Sequence, residues 1–312
     1  MTPLKFRVIQ PKEIADLLGW DIMPNLHAYL KDRPDVIEKT DIFCENSRSA
    51  KQAYKNFALF EQVTEQEDFL VCSIYLELFE YLNRPETEFL PGRVIRTLIE
   101  KLTETYPGKR IVVQWNHDYD FGSKYEWFKE FPNIFVIQFN TSKRLPNDIV
   151  VPFWNISTRP VEAPKKHFAG FVGQINSTSR SSLRGMIKDK TGYYFHDTAT
   201  GRLDEPEFLK LISSFCFTFC PRGAGLSSYR FFEAFHCNTV PILLADHVEL
   251  PFPDLDYSKI CVRLPENIGF EAMNQRLREL DDRKFLQEIS RVRHRFSLLG
   301  TQEEIYKRLS CT

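Results

Sequence analysis

Arg222, Arg230 and Glu233, set around a Gly223-Ala224-Gly225 turn, are the residues whose types and spacing could do chemistry in this chain. They lie in FCFTFCPRGAGLSSYRFFEAFHCNTVPILLAD, residues 215–246. An apolar run, Phe215–Phe219, stops at Cys220-Pro221, and Ser227 and Ser228 stand where helix N-caps belong. Phe231, Phe232 and Phe235 follow, and a second apolar run, Val240–Ala245, ends at Asp246. The order is strand, glycine loop, helix, strand: a βαβ unit whose loop turns a helix N-terminus toward an anion. Backbone N–H groups near Ser227 and Ser228, with Arg222, Gly223 and Arg230, suit a diphosphate. Glu233, one turn inside, can accept hydrogen bonds from a sugar diol. Spacing alone leaves a plainer reading open, because Arg230 and Glu233 at i,i+3 can be a solvated ion pair. The loop is neither a Walker loop nor a G-x-G-x-x-G fingerprint.

The elements that must position these residues read as alternating strands and helices, an α/β pattern with parallel sheets. Helical spacing is expected over residues 11–32, interrupted at Pro24, and over Arg93–Thr105. Strands are expected at Phe69–Tyr75, Ile111–Trp115, Asn133–Phe139 and Ile149–Val151. Residues 152–166, with three prolines and little periodicity, read as an interdomain connection. Beyond it, Phe168–Val172 opens a second set, helices lie around Met186-Ile187 and Phe208–Ile212, and residues 269–312 read as closing helices. At 312 residues the chain is comfortable for two domains, and 43% hydrophobic content supports two cores.

A second kind of chemistry sits after the early strands. Glu77 and Glu80 follow Phe69–Tyr75, while His117, Asp118 and Asp120 follow Ile111–Trp115. A base at a strand's carboxyl end could remove a proton from a hydroxyl, though acidic residues also cap helices there. Asp118-Tyr119-Asp120 is also a D-x-D that could hold Mn²⁺ or Mg²⁺. Trp115, Tyr119 and Trp154 could stack on a sugar or pack in a core.

Several ordered pieces resemble the exostosin-like glycosyltransferases, family 47, of GT-B fold. The family's S-x-F-C-L-x-P-x-G is similar to Ser214, Phe215, Cys216, Pro221 and Gly223 here. Its S-x-R-x-x-E-A corresponds to Ser228, Arg230, Glu233 and Ala234, and its P-V-I-x-x-D to Pro241, Ile242, Leu243 and Asp246. Pro251-Phe252 and Leu255-Asp256-Tyr257-Ser258 resemble later pieces, and Phe168–Gly173 with Arg180 resembles an earlier F-x-G…R. Asn116-His117-Asp118-Tyr119-Asp120-Phe121-Gly122 is similar to the family's H-D-W-G. One departure is Asn238, where relatives place glycine; asparagine tolerates the left-handed conformation needed there.

The resemblance implies a GT-B enzyme, two Rossmann-like domains facing across a cleft. Residues 1–155 would form the acceptor-side domain, 156–285 the nucleotide-sugar domain, and 286–312 helices packing back on the first. It implies an inverting hexosyl- or pentosyltransferase that moves a sugar from a UDP-sugar to a hydroxyl of an oligosaccharide or glycan acceptor. Xylose is preferred over galactose and glucuronate. Arg180, Arg222, Gly223, Ser227, Ser228, Arg230 and Glu233 would hold the donor, and Glu77, Asp118 or His117 would supply the base. No metal and no further cofactor is required on this reading. The alternatives are a metal-dependent GT-A-type enzyme using Asp118 and Asp120, or an inactive glycan-binding relative.

A net charge of −1 gives no basic field for nucleic acid. No window is long and apolar enough for a membrane span, and the N-terminus lacks a signal peptide's pattern. Seven cysteines, mostly in apolar surroundings, fit reduced thiols, and Cys216 and Cys220 have no partners at zinc spacing. The expectation is a cytoplasmic, soluble enzyme of the kind found in microbial or large-virus glycan pathways.

Overall fold

The structure, a computed structural model, describes residues 4–19, 57, 60–76, 79, 91–115, 120–139, 141–152 and 160–310. The chain divides into two compact units, Met1–Val151 with Thr301–Thr312, and Pro152–Gly300.

The first unit is built on β1 (Lys5–Ile9), β2 (Glu61–Gln62), β3 (Phe69–Tyr75), β4 (Arg110–Trp115), β5 (Ile134–Gln138) and β6 (Asp148–Val150). They form one sheet in the order β2-β1-β3-β4-β5-β6, every pairing parallel. Buried on both faces, β5 has no exposed residue, as parallel strands covered by helices require. The helices are α1 (Pro11–Leu18), α2 (Pro91–Thr105) and the short α3 (Phe121–Lys124). Ile95, Leu98, Ile99 and Leu102 of α2 lie at helical spacing and are fully buried in the core.

The helix expected over 11–32 stops early. Gly19 takes the left-handed conformation (φ 73°) and its N–H closes onto Ala15 and Asp16. Residues 20–32 lie outside the described residues. Strand β1 was not legible in the sequence, because Lys5 and Arg7 break up its short apolar pattern. From Thr301 onward the last helix, α9 (Leu298–Ser310), belongs to this unit. Ile305 and Leu309 are buried, Tyr306 stacks on Phe60 at 6.1 Å, and Arg308 Nη2 donates to the Pro146 carbonyl at 3.1 Å.

The second unit holds β7 (His167–Gly173), β8 (Tyr193–Asp197), β9 (Phe215–Pro221), β10 (Val240–Leu244) and β11 (Val262–Leu264). Their order is β11-β10-β9-β7-β8, again all parallel. Between and after them run α4 (Thr178–Ile187), α5 (Glu205–Ser213), α6 (Tyr229–His236), α7 (Phe270–Arg278) and α8 (Asp282–Val292). Strand β8 escaped the sequence reading because only Tyr193 in it is buried, as suits an edge. Asn238 does take the left-handed conformation (φ 48°) just past α6, so the turn survives the missing glycine.

In each sheet the chain reverses its direction of travel once. The reversal falls between β1 and β3 in the first unit and between β7 and β9 in the second. At such a point the loops leaving two neighbouring strands part to opposite faces, and a crevice opens at the carboxyl ends.

Candidate active site

The reversal in the second unit brings together the residues picked out by spacing. Strands β7 and β9 pair in register, His167 with Phe215 and Gly170 with Thr218. From the end of β7 the chain enters α4, which carries Arg180, and from the end of β9 it enters the glycine loop and α6. Arg180 is the third residue of α4, whose N-cap Ser177 accepts from Arg180 N. The same Ser177 hydroxyl donates to the Arg222 carbonyl at 3.0 Å, tying the helix to the glycine loop.

The Arg180 guanidinium is aimed by three contacts. Its Nη1 donates to the Gln174 carbonyl at 2.8 Å and to Asn176 Oδ1 at 2.9 Å, and it lies over Phe171 at 5.7 Å. Gly223 faces it so closely that a Cβ there would sit 3.3 Å from Arg180 Nη2. A side chain at 223 would therefore press on the guanidinium.

Arg230 and Glu233 form an ion pair one turn into α6, with the Arg230 guanidinium 4.1 Å over the Phe208 ring. Their side chains are only 11% and 13% exposed, so this is a sheltered pair and not the solvated one that spacing allowed. Burial pushes the Glu233 carboxyl up, although Arg230 and Arg180 pull the other way. For Arg180, burial and then the like charge of Arg230 hold the guanidinium below its ordinary value. Two cations thus share a half-buried crevice.

Ser228 occupies the N-cap position of α6, but its side chain makes no cap hydrogen bond, which corrects the expected capping role. The residue is 2% exposed and its Oγ has no partner among the described residues. Arg180 Nε and Arg230 Nε are likewise buried without a partner among the described residues. Ser227 beside it is also buried. Three orphaned donors within one constellation are a feature that native folds rarely keep without a reason.

Arg222 lies further out, at 39% side-chain exposure, and its Nε is held by Glu266 at 2.9 and 3.0 Å. Glu266, on the loop after β11, was not singled out by sequence reasoning. It also accepts from Ser179 Oγ at 2.7 Å, while its backbone N–H donates to Asp246 Oδ1 at 3.1 Å. No local motif marks it, because its partners are 20 to 87 residues away in the chain.

Glu77, Glu80, His117, Asp118, Tyr119 and Trp154 lie outside the described residues. Asp120 does not present an idle carboxylate for a metal. Its Oδ1 accepts from Ser142 N at 2.9 Å and its Oδ2 pairs with Ser142 Oγ, closing the loop after β5 onto α3. Gly122 serves the same closure, since a Cβ there would stand 1.9 Å from the Lys143 carbonyl oxygen. Trp115 is fully buried against Phe121 and Tyr125, a core residue and not a sugar platform. Among the described residues no group of three or more His, Cys, Asp or Glu side chains could hold a metal ion. The described cysteines are free thiols, and burial pushes those of Cys72, Cys237 and Cys261 up to about 12. No described helix is long and apolar enough to cross a membrane.

Residues 115–277, just over half of the chain, match the exostosin GT47 domain. The chain belongs to the exostosin GT47 family. The matched span contains the whole β7/β9 crevice, so the exostosin signature and the orphaned donors coincide. Two parallel-sheet α/β units are also the make-up of a GT-B exostosin. Among solved structures the chain is similar to the pneumococcal O-GlcNAc transferase GtfA in complex with UDP and GlcNAc, at 10% identity and TM-score 0.42. That match covers 78% of this chain and 56% of the other, so this chain spans little more than half of that protein. A glycosyltransferase from Rickettsia africae ESF-5 matches at 8% identity and TM-score 0.46 over 100% of both chains. An alpha-glucosyltransferase in complex with UDP-glucose and abasic-site DNA matches at 9% identity and TM-score 0.42, covering 99% and 100%. These likenesses are too distant to bear on substrate or mechanism.

Proposed function

We propose that this exostosin-family chain is a glycosyltransferase that uses a UDP-sugar and binds the donor diphosphate in the β7/β9 crevice of the second unit. The observation that carries the reading is the pair of neighbouring guanidinium groups of Arg180 and Arg230, sheltered together beside orphaned donors. Glu233 offsets only one of these two charges, and an uncompensated cation in a half-buried site costs stability unless a further anion joins it. A diphosphate supplies that anion, and the charge on it grows as the sugar leaves. Arg180, Arg222 and Arg230 then stabilise the departing UDP, with Ser227, Ser228 and the backbone N–H groups at the start of α6. Glu233 holds Arg230 in place within α6, and its free lone pairs face the nucleotide's ribose.

On this reading the second unit is the donor unit and the first unit carries the acceptor. The acceptor hydroxyl oxygen attacks the anomeric carbon as the bond to the diphosphate breaks, with inversion. Its proton passes to a carboxylate or imidazole, from Glu77, Asp118 or His117. Strand β3, which precedes Glu77, borders the reversal in the first sheet, whereas β4, which precedes His117 and Asp118, does not. That favours Glu77 as the base. Xylose is the proposed sugar, with galactose and glucuronate as the other donors to screen, and a glycan hydroxyl is the acceptor.

The test is calorimetric titration of UDP into the wild-type chain and Arg180→Ala, with UDP release from a panel of UDP-sugars. Arg180 makes no direct carboxylate hydrogen bond among the described contacts, and Glu233, which feels its charge, keeps Arg230 as its partner when Arg180 is removed. UDP binding that Arg180→Ala abolishes supports the donor site; equal binding by both proteins refutes it.

A further inference from the structure

We infer that Glu266 is a positioning residue for donor binding: it sets the Arg222 guanidinium and locks the glycine loop against α4. This rests on the donor-site reading above.

Four strand-end segments of the second unit meet at this one residue. Its carboxylate takes Arg222 Nε from the loop after β9, at 2.9 and 3.0 Å. It takes Ser179 Oγ from the first turn of α4, which follows β7, at 2.7 Å. Its own N–H is fixed by Asp246, beyond β10, at 3.1 Å, and the residue itself follows β11. A simple surface ion pair would contribute little, since two flexible side chains must be ordered to make it. Here the carboxylate is anchored from both sides, at 22% side-chain exposure, so the ordering is done before a ligand arrives.

The chemistry of the contact matters as much as its place. Glu266 engages Arg222 through Nε, and no other Arg222 side-chain hydrogen bond is among the described contacts, so the terminal nitrogens can meet phosphate oxygens. One negative charge beside Arg222 also offsets repulsion from Arg180 and Arg230 before the donor binds. Glu266 acts through Arg222 and need not touch the nucleotide. Because it pre-orients a group that grips the donor before and during reaction, its loss should raise KM and leave kcat nearly alone.

The experiment is a double-mutant cycle on the full chain with UDP as the titrant: wild type, Glu266→Gln, Arg222→Ala and the pair. Glu266→Gln is expected to weaken UDP about tenfold, the scale of one charge-assisted hydrogen bond. In the Arg222→Ala background the same change should cost less than about twofold, because the group it serves is gone. Steady-state kinetics should show the tenfold change in donor KM with kcat within about twofold. Ser179→Ala, a milder cut at the same carboxylate, should move UDP affinity in the same direction and guards against a Glu266→Gln chain that does not fold. Equal losses from Glu266→Gln in both backgrounds, or a loss confined to kcat, would overturn the inference. Arg180→Ala separates the two readings. If it abolishes UDP binding while Glu266→Gln does nothing, only the role of Glu266 falls. If neither variant matters, the donor site falls too.

Discussion

A short helix follows β4 in the first unit and β9 in the second, with a glycine inside α3 and another in the loop before α6, and charged or polar side chains close by. The two places treat those side chains differently. Asp120 beside α3 is engaged by Ser142 and Thr141, and Gly122 is there to let the Lys143 carbonyl approach. At α6, Ser228 Oγ and the Nε atoms of Arg180 and Arg230 are buried without partners among the described residues, and Gly223 lets a guanidinium approach instead. The strand order explains the contrast. Strand β4 lies inside a run of strands laid down in one direction, and Asp120, at the start of α3, is closed onto the loop after β5. Strands β7 and β9 flank the reversal, the place in such a sheet where loops diverge, and the orphaned groups lie on the segments that follow these two strands. Unsatisfied groups that cluster with two cations at the carboxyl ends of neighbouring strands are where a ligand is expected.

Among its described residues the first unit keeps orphaned atoms too, Ser73 Oγ, Thr103 Oγ1 and Gln114 Nε2 included, and one buried pair there gives the largest expected effect. Asp148 and Gln138 are buried, Gln138 Nε2 donates to Asp148 Oδ2 at 2.6 Å, yet Asp148 Oδ1 and Gln138 Oε1 have no partner among the described residues. Burial pushes the Asp148 carboxyl up to about 7 from an ordinary 3.8. The folded chain therefore holds a proton between about pH 4 and 7 that the unfolded chain has lost. The contribution of Asp148 to stability is greatest below that window, falls as pH rises through it and levels off above about 7, by on the order of 4 kcal/mol. Asp148→Asn should flatten the dependence in denaturant melts between pH 4 and 8. If the wild-type slope runs the other way, the satisfied-versus-orphaned contrast loses its explanation in the first unit.

The contrast is sharpened next at Arg180. Arg180→Ala should weaken UDP on the order of a hundredfold with only a small drop in the melting transition, since a charge-assisted contact to the ligand is lost while Glu233 keeps Arg230 as its partner. Asp120→Ala should do the reverse, costing about 2 kcal/mol of stability in denaturant melts with UDP affinity unchanged. A drop in UDP affinity with Asp120→Ala would break the distinction. The smallest and most diagnostic effect is expected at Ser228. Ser228→Ala should weaken UDP about fivefold and leave stability unchanged or slightly raised, because removing an unpartnered buried hydroxyl relieves a desolvation cost. A clear loss of stability would mean that the hydroxyl has a structural partner after all.

Much of the second unit could be read from the sequence because its signals are local. The apolar run at Phe215, the Gly223–Gly225 turn and the amphipathic Tyr229–His236 segment each announce themselves within a few residues. Asn238 could be expected in the left-handed region because the resemblance places a glycine there. Strands β1 and β8 could not be read, since Lys5, Arg7, His196 and Asp197 interrupt the patterns that mark a buried strand. The cap expected of Ser228 also failed. An N-cap residue type predicts a hydrogen bond only if the side chain is free to turn toward the helix, and here the residue is sealed into the crevice wall.

The sequence by itself determined the alternation of strands and helices, the helix that follows the glycine loop, and membership of the exostosin family. The first two depend on side-chain period and turn chemistry, which act over a single turn or strand, and the third on the resemblance of several ordered motifs. Only the tertiary structure decided that Arg180 meets Gly223, that Glu266 holds both Arg222 and Ser179, and that Asp120 is spent on a loop. Each of these joins residues from different strand ends, and which strand ends become neighbours is set by the order of strands in the sheet. That order follows from how buried faces pack together, not from anything written in the neighbouring residues.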